Sequence, residues 1–483
     1  MNSKNFLKHF TVIGLGTIIN MLLGLITTPI ITRIVNPNEY GQLSIFTMYS
    51  NIAVMTLCLG LDQALIRFYY DKKDEAYKKK LLHSCVKIPF SIFLILSIIV
   101  IFLYCLKIVK INISFIILVL FLLYTLTQLI YRFSLIVIRL EYNSKLYSLL
   151  NILLKIFYIV IVISLLMIIK SNYFEILVLS TTISAIICLV ISIFSQRKKW
   201  NFFKKDYFRE NIKMNELLKY SLPFIFTMGV TTLFQAIDKI SLSIFCEYSD
   251  VGIYASTMSL VHIFAIVQTT FNTLWAPMSV EHYTKNPEDK TFYKKGNQYI
   301  TVIMFFIGLS LMLVKDIFAI LLGEKYRLAA YIFPFLIFTP IMYTISETTV
   351  NGLVFYKKSK MQVLVAVGAC LSNIIGNVIL VPIIGCKGAA ISTGLSYIIF
   401  FSLRTFLSNK YYYIDFKLKK FYFLTLIVVL YALYNTFIKF NILTIIFYFL
   451  CITILVCLYF DSIKEMINHV KKIIFRKEDK IND

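Results

Sequence analysis

Charge is scarce in this chain, and negative charge is scarcest. Asp and Glu number 25 against 49 Lys and Arg, and the four together make only 15% of 483 residues. A soluble domain carries about 25% charged residues, so a water-soluble globule is excluded. Catalytic signatures are missing too. There is no Gly-x-Ser-x-Gly, no His-Glu-x-x-His, no Gly-x-x-x-x-Gly-Lys-Ser/Thr and no Cys/His cluster at metal-ligand spacing. The chain is therefore read as not an enzyme, with no catalytic residues, no metal site and no cofactor. Its nine cysteines form no Cys-x-x-Cys pair. Most stand in apolar runs, where Cys acts as a small hydrophobe. A cleavable leader is not expected, because the run Phe10–Ile31 is longer than a signal core and lacks a small-x-small end.

What is abundant is apolar sequence. Hydrophobic residues make up 59% of the chain and mean hydropathy is +0.78. The excess is spread in runs of about 20 residues, the length that crosses a bilayer. Fourteen such runs are expected, near 10–32, 41–66, 84–107, 112–138, 143–169, 173–196, 218–246, 250–278, 298–322, 328–356, 361–384, 386–408, 420–438 and 441–461. The fold class is all-α, a polytopic membrane helix bundle of about fourteen transmembrane helices.

The bases sort by side. Clusters at Lys72–Lys80, Arg197–Lys219, Lys285–Lys295, Lys357–Lys360 and Lys410–Lys420 fall in alternate loops, with a basic C-terminal tail. The other turns hold scattered bases such as Arg33, Lys107, Lys170, Lys325 and Lys387. Positive loops stay in the cytoplasm, so both termini are expected inside, and every external loop is short. The net charge of +24 then reflects orientation and anionic lipid rather than nucleic acid. Bases alternate with Trp200, Phe202, Phe203, Tyr207 and Phe208 in the longest inner connection, the pattern of an interfacial segment. Ile463, Met466, Ile467, Val470, Ile473 and Ile474 share one helical face in the tail.

A weak repeat divides the chain. Asn36-Pro37-Asn38-Glu39-Tyr40-Gly41 makes a polar turn between two apolar runs, and Glu247-Tyr248-Ser249-Asp250-Val251-Gly252 does so again. A shift of about 211 residues places Gly252 on Gly41, as parallel transporter repeats do. The expected domains are a six-helix lobe at 1–196, a basic interfacial linker at 197–217, a second six-helix lobe at 218–408, and two extra helices with a tail at 409–483.

Polar residues recur inside the spans at helical spacing. One stripe holds Thr125, Gln128, Arg132 and Arg139; another holds Ser144, Ser148, Asn151, Lys155 and Tyr158. The second half offers Gln235, Asp238 and Lys239, then Tyr343, Glu347 and Asn351, then Asn373 and Asn377. Asn and Ser often serve as glue between helices. An ionisable group at depth costs about 2.5–3.5 kcal/mol on insertion scales and marks a cavity or pathway. Arg132, Lys155, Gln128, Asn151, Gln235 and Lys239 are the expected substrate contacts. They would line a hydrophilic cavity between the lobes and suit an anionic cargo. Glu347 is the leading candidate for coupling to H⁺ or Na⁺, followed by Asp238 and Asp62.

Pro29-Ile30-Ile31-Thr32-Arg33, Glu39-Tyr40-Gly41, Gly60-Leu61-Asp62-Gln63-Ala64 and Arg67-Phe68 together resemble the N-terminal pattern of the polysaccharide transporter family. These are the O-antigen and capsule repeat-unit flippases of the multidrug/oligosaccharidyl-lipid/polysaccharide superfamily. The likeness continues through Asp238-Lys239, Val251-Gly252-Ile253-Tyr254, Trp275-Ala276-Pro277, Asn377 with Pro382, and Gly388-Ala389-Ala390-Ile391. It implies a V-shaped, two-lobed transporter working by alternating access in the bacterial cytoplasmic membrane. The implied cargo is an undecaprenyl-diphosphate-linked oligosaccharide, with membrane lipids, a polysaccharide polymerase and glycosyltransferases as partners and no nucleic acid. The rival readings are a drug or ion antiporter, a lipid-linked peptidoglycan precursor flippase and, from another class, a membrane glycosyltransferase or polymerase. The short outer loops count against the last.

The charge pattern makes a topological prediction. Reporter fusions at Asn172, Asp250 and Asn441 should read outside the membrane, and fusions at Lys78, Asn201 and Asp483 inside. Reversal at any two would break the count of spans.

Overall fold

The computed structural model describes residues 3–108, 113–169, 172–201 and 212–468. Every regular element among them is a helix. The chain divides into two compact units, Met1–Ala236 and Ile237–Asp483. The first holds α1 (Ser3–Ile34), α2 (Pro37–Leu57), α3 (Leu61–Phe68), α4 (Glu75–Cys105), α5 (Phe115–Leu140), α6 (Ser144–Ile168), α7 (Tyr173–Ser195) and the single turn α8 (Arg197–Trp200). The next helix, α9 (Met214–Phe245), runs across the division. The second unit continues with α10 (Tyr248–Val261), α11 (Ala265–Lys285), α12 (Lys290–Leu313), α13 (Lys315–Leu321), α14 (Ala329–Leu336), α15 (Phe338–Thr349) and α16 (Asn351–Phe355). It ends with α17 (Ser359–Ile384), α18 (Cys386–Asn409), α19 (Leu418–Phe437), α20 (Ile442–Leu458) and α21 (Phe460–Asn468).

Eleven of these helices are long and apolar enough to cross a membrane, and the count reaches 14 if each of three bent pairs is one span. The sequence showed the first two pairs as unbroken runs and the third as a span followed by an amphipathic tail. The first bend, 56° between α2 and α3, has a plain cause. Gly60 sits at φ +69°, a left-handed conformation that costs other residues about 1–2 kcal/mol. The second bend, 41° between Tyr248–Phe264 and Ile266–Lys285, falls at nearly the equivalent place in the second unit. Both units thus break the helix that follows the polar turn, which strengthens the repeat read from the sequence. The third bend, 79° between α20 and α21, turns the chain just before the basic tail.

Helix ends follow their local chemistry. Pro37 opens α2, where its missing N–H costs nothing. Asp74, Asn143 and Asp289 each accept a backbone N–H at the start of α4, α6 and α12. Asn441 and Thr444 form a capping box on α20. Within the first unit α1 packs on α6, and α5 on α2 and α7; within the second, α18 packs on α14, α15 and α17, and α20 on α12 and α19. Large apolar side chains such as Ile95, Ile98 and Phe102 on α4 point outward, as a surface facing lipid requires.

The start of the basic connection is anchored. Lys199 Nζ lies 3.2 Å from Glu75 Oε2, pairs also with Glu141, and donates to the Tyr69 hydroxyl at 2.8 Å. The middle of the expected interfacial segment, 202–211, and the tail from residue 469 with Val470, Ile473 and Ile474 lie outside the described residues.

The bend at Gly60 is testable. A Cβ there would collide with the Ser221 carbonyl, whereas one on Gly14 meets nothing within 4 Å. Gly60→Ala should lower the melting temperature of the detergent-solubilised protein, and Gly14→Ala should leave it unchanged or slightly higher.

Candidate functional site

Two adjoining pockets lie inside the first unit, between α1, α2, α3, α5, α6 and α7. The larger, about 450 Å³, is lined by Gln63, Gln128, Arg132, Arg139, Tyr147 and Asn151, with Asp62 at its wall. The smaller, about 260 Å³, is lined by Lys155 with Thr28, Tyr40, Tyr124, Tyr158 and Ser184 among others. Gln128 and Leu154 belong to both. Four expected contacts, Arg132, Lys155, Gln128 and Asn151, are therefore together. The other two are not among them: Gln235 is exposed on α9 and Lys239 belongs to the second unit, and neither lines these pockets.

Arg132 is held from behind. Its Nε and Nη2 both donate to Asp62 Oδ2, at 3.0 and 2.6 Å. The Asp62 side chain is 1% exposed and that of Arg132 is 35% exposed. Gln63 supports the carboxylate through its backbone N–H on Oδ1 at 2.9 Å and its side chain on Oδ2 at 3.2 Å. The bend at Gly60 starts α3, which carries Asp62. Asp62 had ranked as a shallow coupling candidate; it is instead the buried counter-charge that fixes Arg132. Such a pair keeps the guanidinium's remaining N–H groups available at the pocket wall. Arg139, seven residues further along α5, lines the same pocket and is exposed.

The polar stripes divide by residue. Thr125 bonds Ser50 across helices at 3.0 Å, and Ser148 bonds the Val12 carbonyl at 3.1 Å; these are interhelical glue. Gln128, Arg132, Asn151 and Lys155 face the pockets. Lys155 Nζ donates to the Asn20 carbonyl of α1 at 2.8 Å, and no carboxylate pairs with it among the described residues.

In the second unit, Glu347 does not stand alone. Arg404 Nη1 lies 2.7 Å from Glu347 Oε1 and also donates to Ser346 Oγ at 2.7 Å. The guanidinium rests against the rings of Tyr343 and Phe400. Sequence reasoning missed Arg404, whose signal was a single base inside an otherwise uncharged stretch of α18. Glu347, the first coupling candidate from the sequence, is thus one half of an ion pair inside the second unit.

Asp238 is the opposite case. It is 5% exposed and makes no salt bridge among the described residues. Tyr254 donates to Oδ2 at 2.7 Å, and Asn373 and Asn377 donate to Oδ1 at 3.1 and 2.8 Å. Tyr254 also meets Thr393 Oγ1 at 3.1 Å, and Ser392 donates to Asn373 Oδ1 at 2.8 Å. Asn377 Oδ1 is buried with no partner. The result is a buried carboxylate surrounded by N–H and O–H donors, with no salt bridge among the described residues. Four elements, α9, α10, α17 and α18, build it. Gly376 packs on Ser392 and Gly388 on the Leu380 carbonyl, which brings α17 and α18 together.

The many long apolar helices, with charged residues lining pockets among them, are those of a multi-pass membrane protein. Residues 6–283 match the family model described as polysaccharide biosynthesis protein, and the chain belongs to that family. Among curated proteins no significantly similar sequence is found. Among solved structures the chain is similar to a lipid II flippase MurJ in an inward closed conformation (17% identity, covering 95% of this chain and 99% of that one, TM-score 0.66). It is similar also to the Vibrio cholerae MATE transporter VcmN (14% identity, 84% and 96%, TM-score 0.56). A third is an outward-facing multidrug resistance MATE family transporter of the MOP superfamily (12% identity, 83% and 95%, TM-score 0.57). The fold is therefore that of MurJ and MATE transporters.

The Arg132–Asp62 pair generates a prediction. Removing one partner of a buried pair typically costs about 3–5 kcal/mol. Asp62→Ala should destabilise the purified protein by an amount in that range, and adding Arg132→Met should recover part of the loss. Additive effects in this double-mutant cycle would show the pair to be unimportant.

Proposed function

We propose that the protein is a flippase that turns undecaprenyl-diphosphate-linked oligosaccharide repeat units across the bacterial cytoplasmic membrane by alternating access, with both termini inside. Such units serve a surface polysaccharide of the capsule, O-antigen or exopolysaccharide kind. Glycosyltransferases that load the lipid would act before it and a polymerase after it. Membership of a polysaccharide biosynthesis family supports this reading. The observation that carries it is the larger pocket, where Arg132 and Arg139 share one wall of α5. Guanidinium groups match the oxygens of a diphosphate in pairs, and a cationic drug would be repelled.

Reconstituted vesicles test the cargo. Arg132→Ala should slow flipping of a polyprenyl-diphosphate oligosaccharide by about tenfold or more per folded protein, the scale of one lost charge-assisted contact, and so should Arg132→Ala with Asp62→Asn, which leaves no bare carboxylate. Unchanged flipping would remove Arg132 from the pathway.

We also propose that coupling to an ion gradient acts at Asp238 rather than Glu347. Asp238 is a buried carboxylate held by neutral donors, the Tyr254 hydroxyl and the amide N–H groups of Asn373 and Asn377, so a monovalent cation or a proton would supply the missing positive charge. A single carboxylate suits Na⁺ or a proton rather than a divalent ion. Asp238→Asn keeps the shape and removes the charge. That variant should lose stimulation by an imposed Na⁺ or pH gradient but keep slow downhill exchange. A gradient response equal to wild type would exclude Asp238 as the coupling group.

A further inference from the structure

The two pockets of the first unit differ in chemistry as well as size. The larger presents two guanidiniums and side-chain amides, a surface rich in donors. The smaller presents hydroxyls and a single ammonium. Several of those hydroxyls have already spent their hydrogen. Thr27, Thr47 and Thr181 donate to the carbonyls of Leu23, Leu43 and Leu177 of their own helices. What they turn outward is lone pairs. Tyr40, Tyr124, Tyr158 and Gln128 beside them can donate as well as accept, and a single ammonium is too little charge for a diphosphate. A sugar ring would find acceptors for its own hydroxyls, in a space of about 260 Å³ that takes one ring and not a chain.

Lys155 is the exception in this wall. Its ammonium makes one hydrogen bond, to the Asn20 carbonyl, and has two N–H groups left. It has no carboxylate partner among the described residues, unlike Arg132 and Arg404. Gly24 makes room for it: a Cβ there would press on Nζ at 2.8 Å. An ammonium without a counter-charge in a bilayer interior costs free energy unless a ligand supplies the charge. One positive charge asks for one negative charge.

We propose that Lys155 is a specificity-determining residue and that its pocket is a subsite for an acidic sugar, whose single carboxylate pairs with the ammonium. The diphosphate occupies the larger pocket on the far side of Gln128. The proposal rests on the flippase reading given above. It adds that the protein selects repeat units bearing a uronic-type carboxylate over neutral ones.

The experiment uses full-length protein in vesicles and two synthetic polyprenyl-diphosphate disaccharides that differ only in a hexuronic acid against the corresponding hexose. Wild type should flip the acidic probe about tenfold faster, the scale of one charge-assisted contact. Lys155→Met should bring that ratio close to one, and Lys155→Arg should keep most of it. Gly24→Ala, which displaces the ammonium without deleting it, should lower the ratio to an intermediate value and guards against misfolding of the Met variant. A ratio unchanged in Lys155→Met, including equal loss of both rates, overturns the subsite and makes the lysine a fastener between α1 and α6. Wild type that flips both probes equally overturns it as well. Wild type that moves neither probe overturns the flippase reading itself, a result distinct from the others.

Discussion

An ionised side chain cannot rest in hydrocarbon without a partner, and the polar architecture of this protein is a set of answers to that constraint. Arg132 is answered by Asp62, with Gln63 completing the carboxylate's shell. Arg404 is answered by Glu347 and by two aromatic faces. Asp238 is answered without any cation, by a phenol and two amides. Lys155 is answered least, by one backbone carbonyl. The more completely a charge is satisfied within the protein, the less it can respond to cargo or ion. Arg404 and Glu347 satisfy each other on this scale, and Lys155 and Asp238 have no oppositely charged partner among the described residues. Arg132 stands between, fixed on one side and open on the other.

Backbone features serve the same end. Gly60 allows a left-handed break that starts a short helix just where Asp62 must meet α5. Without it, α2 would continue straight and the carboxylate would lie elsewhere around the helix. Gly376 and Gly388 let α17 and α18 approach until Ser392 reaches Asn373 and Asn377. Small residues at helix contacts are the usual means of close packing in lipid, and here they also assemble the nest around Asp238.

The repeat links these points. The two units share a polar turn, then an apolar helix, then a break. Yet they have diverged in chemistry. The first unit gathers cations at pockets of its own, and the second buries an unpaired carboxylate. The same turn and break therefore carry different charged groups in the two units: pocket-lining Arg132, Arg139 and Lys155 in the first, and buried Asp238 in the second.

The sequence by itself determined the fold class, because run length and the side of the bases follow directly from bilayer thickness and the positive-inside bias. It also brought out four polar residues that line the pockets of the first unit. Gln128 and Arg132 on one helix, and Asn151 and Lys155 on the next, stand at helical spacing, and a stripe can be seen along one helix. Partnership could not be seen. Asp62 and Arg132 are 70 residues apart, Glu347 and Arg404 are 57 apart, and Asp238 and Asn377 are 139 apart. Which carboxylate is neutralised and which is left bare depends on contacts between helices. Only the tertiary structure could therefore pair Glu347 with Arg404 and Asp62 with Arg132, and leave Asp238 without a salt bridge among the described residues. The physical reason is that a charge's role is set by what surrounds it, and those surroundings are assembled from distant turns of the chain.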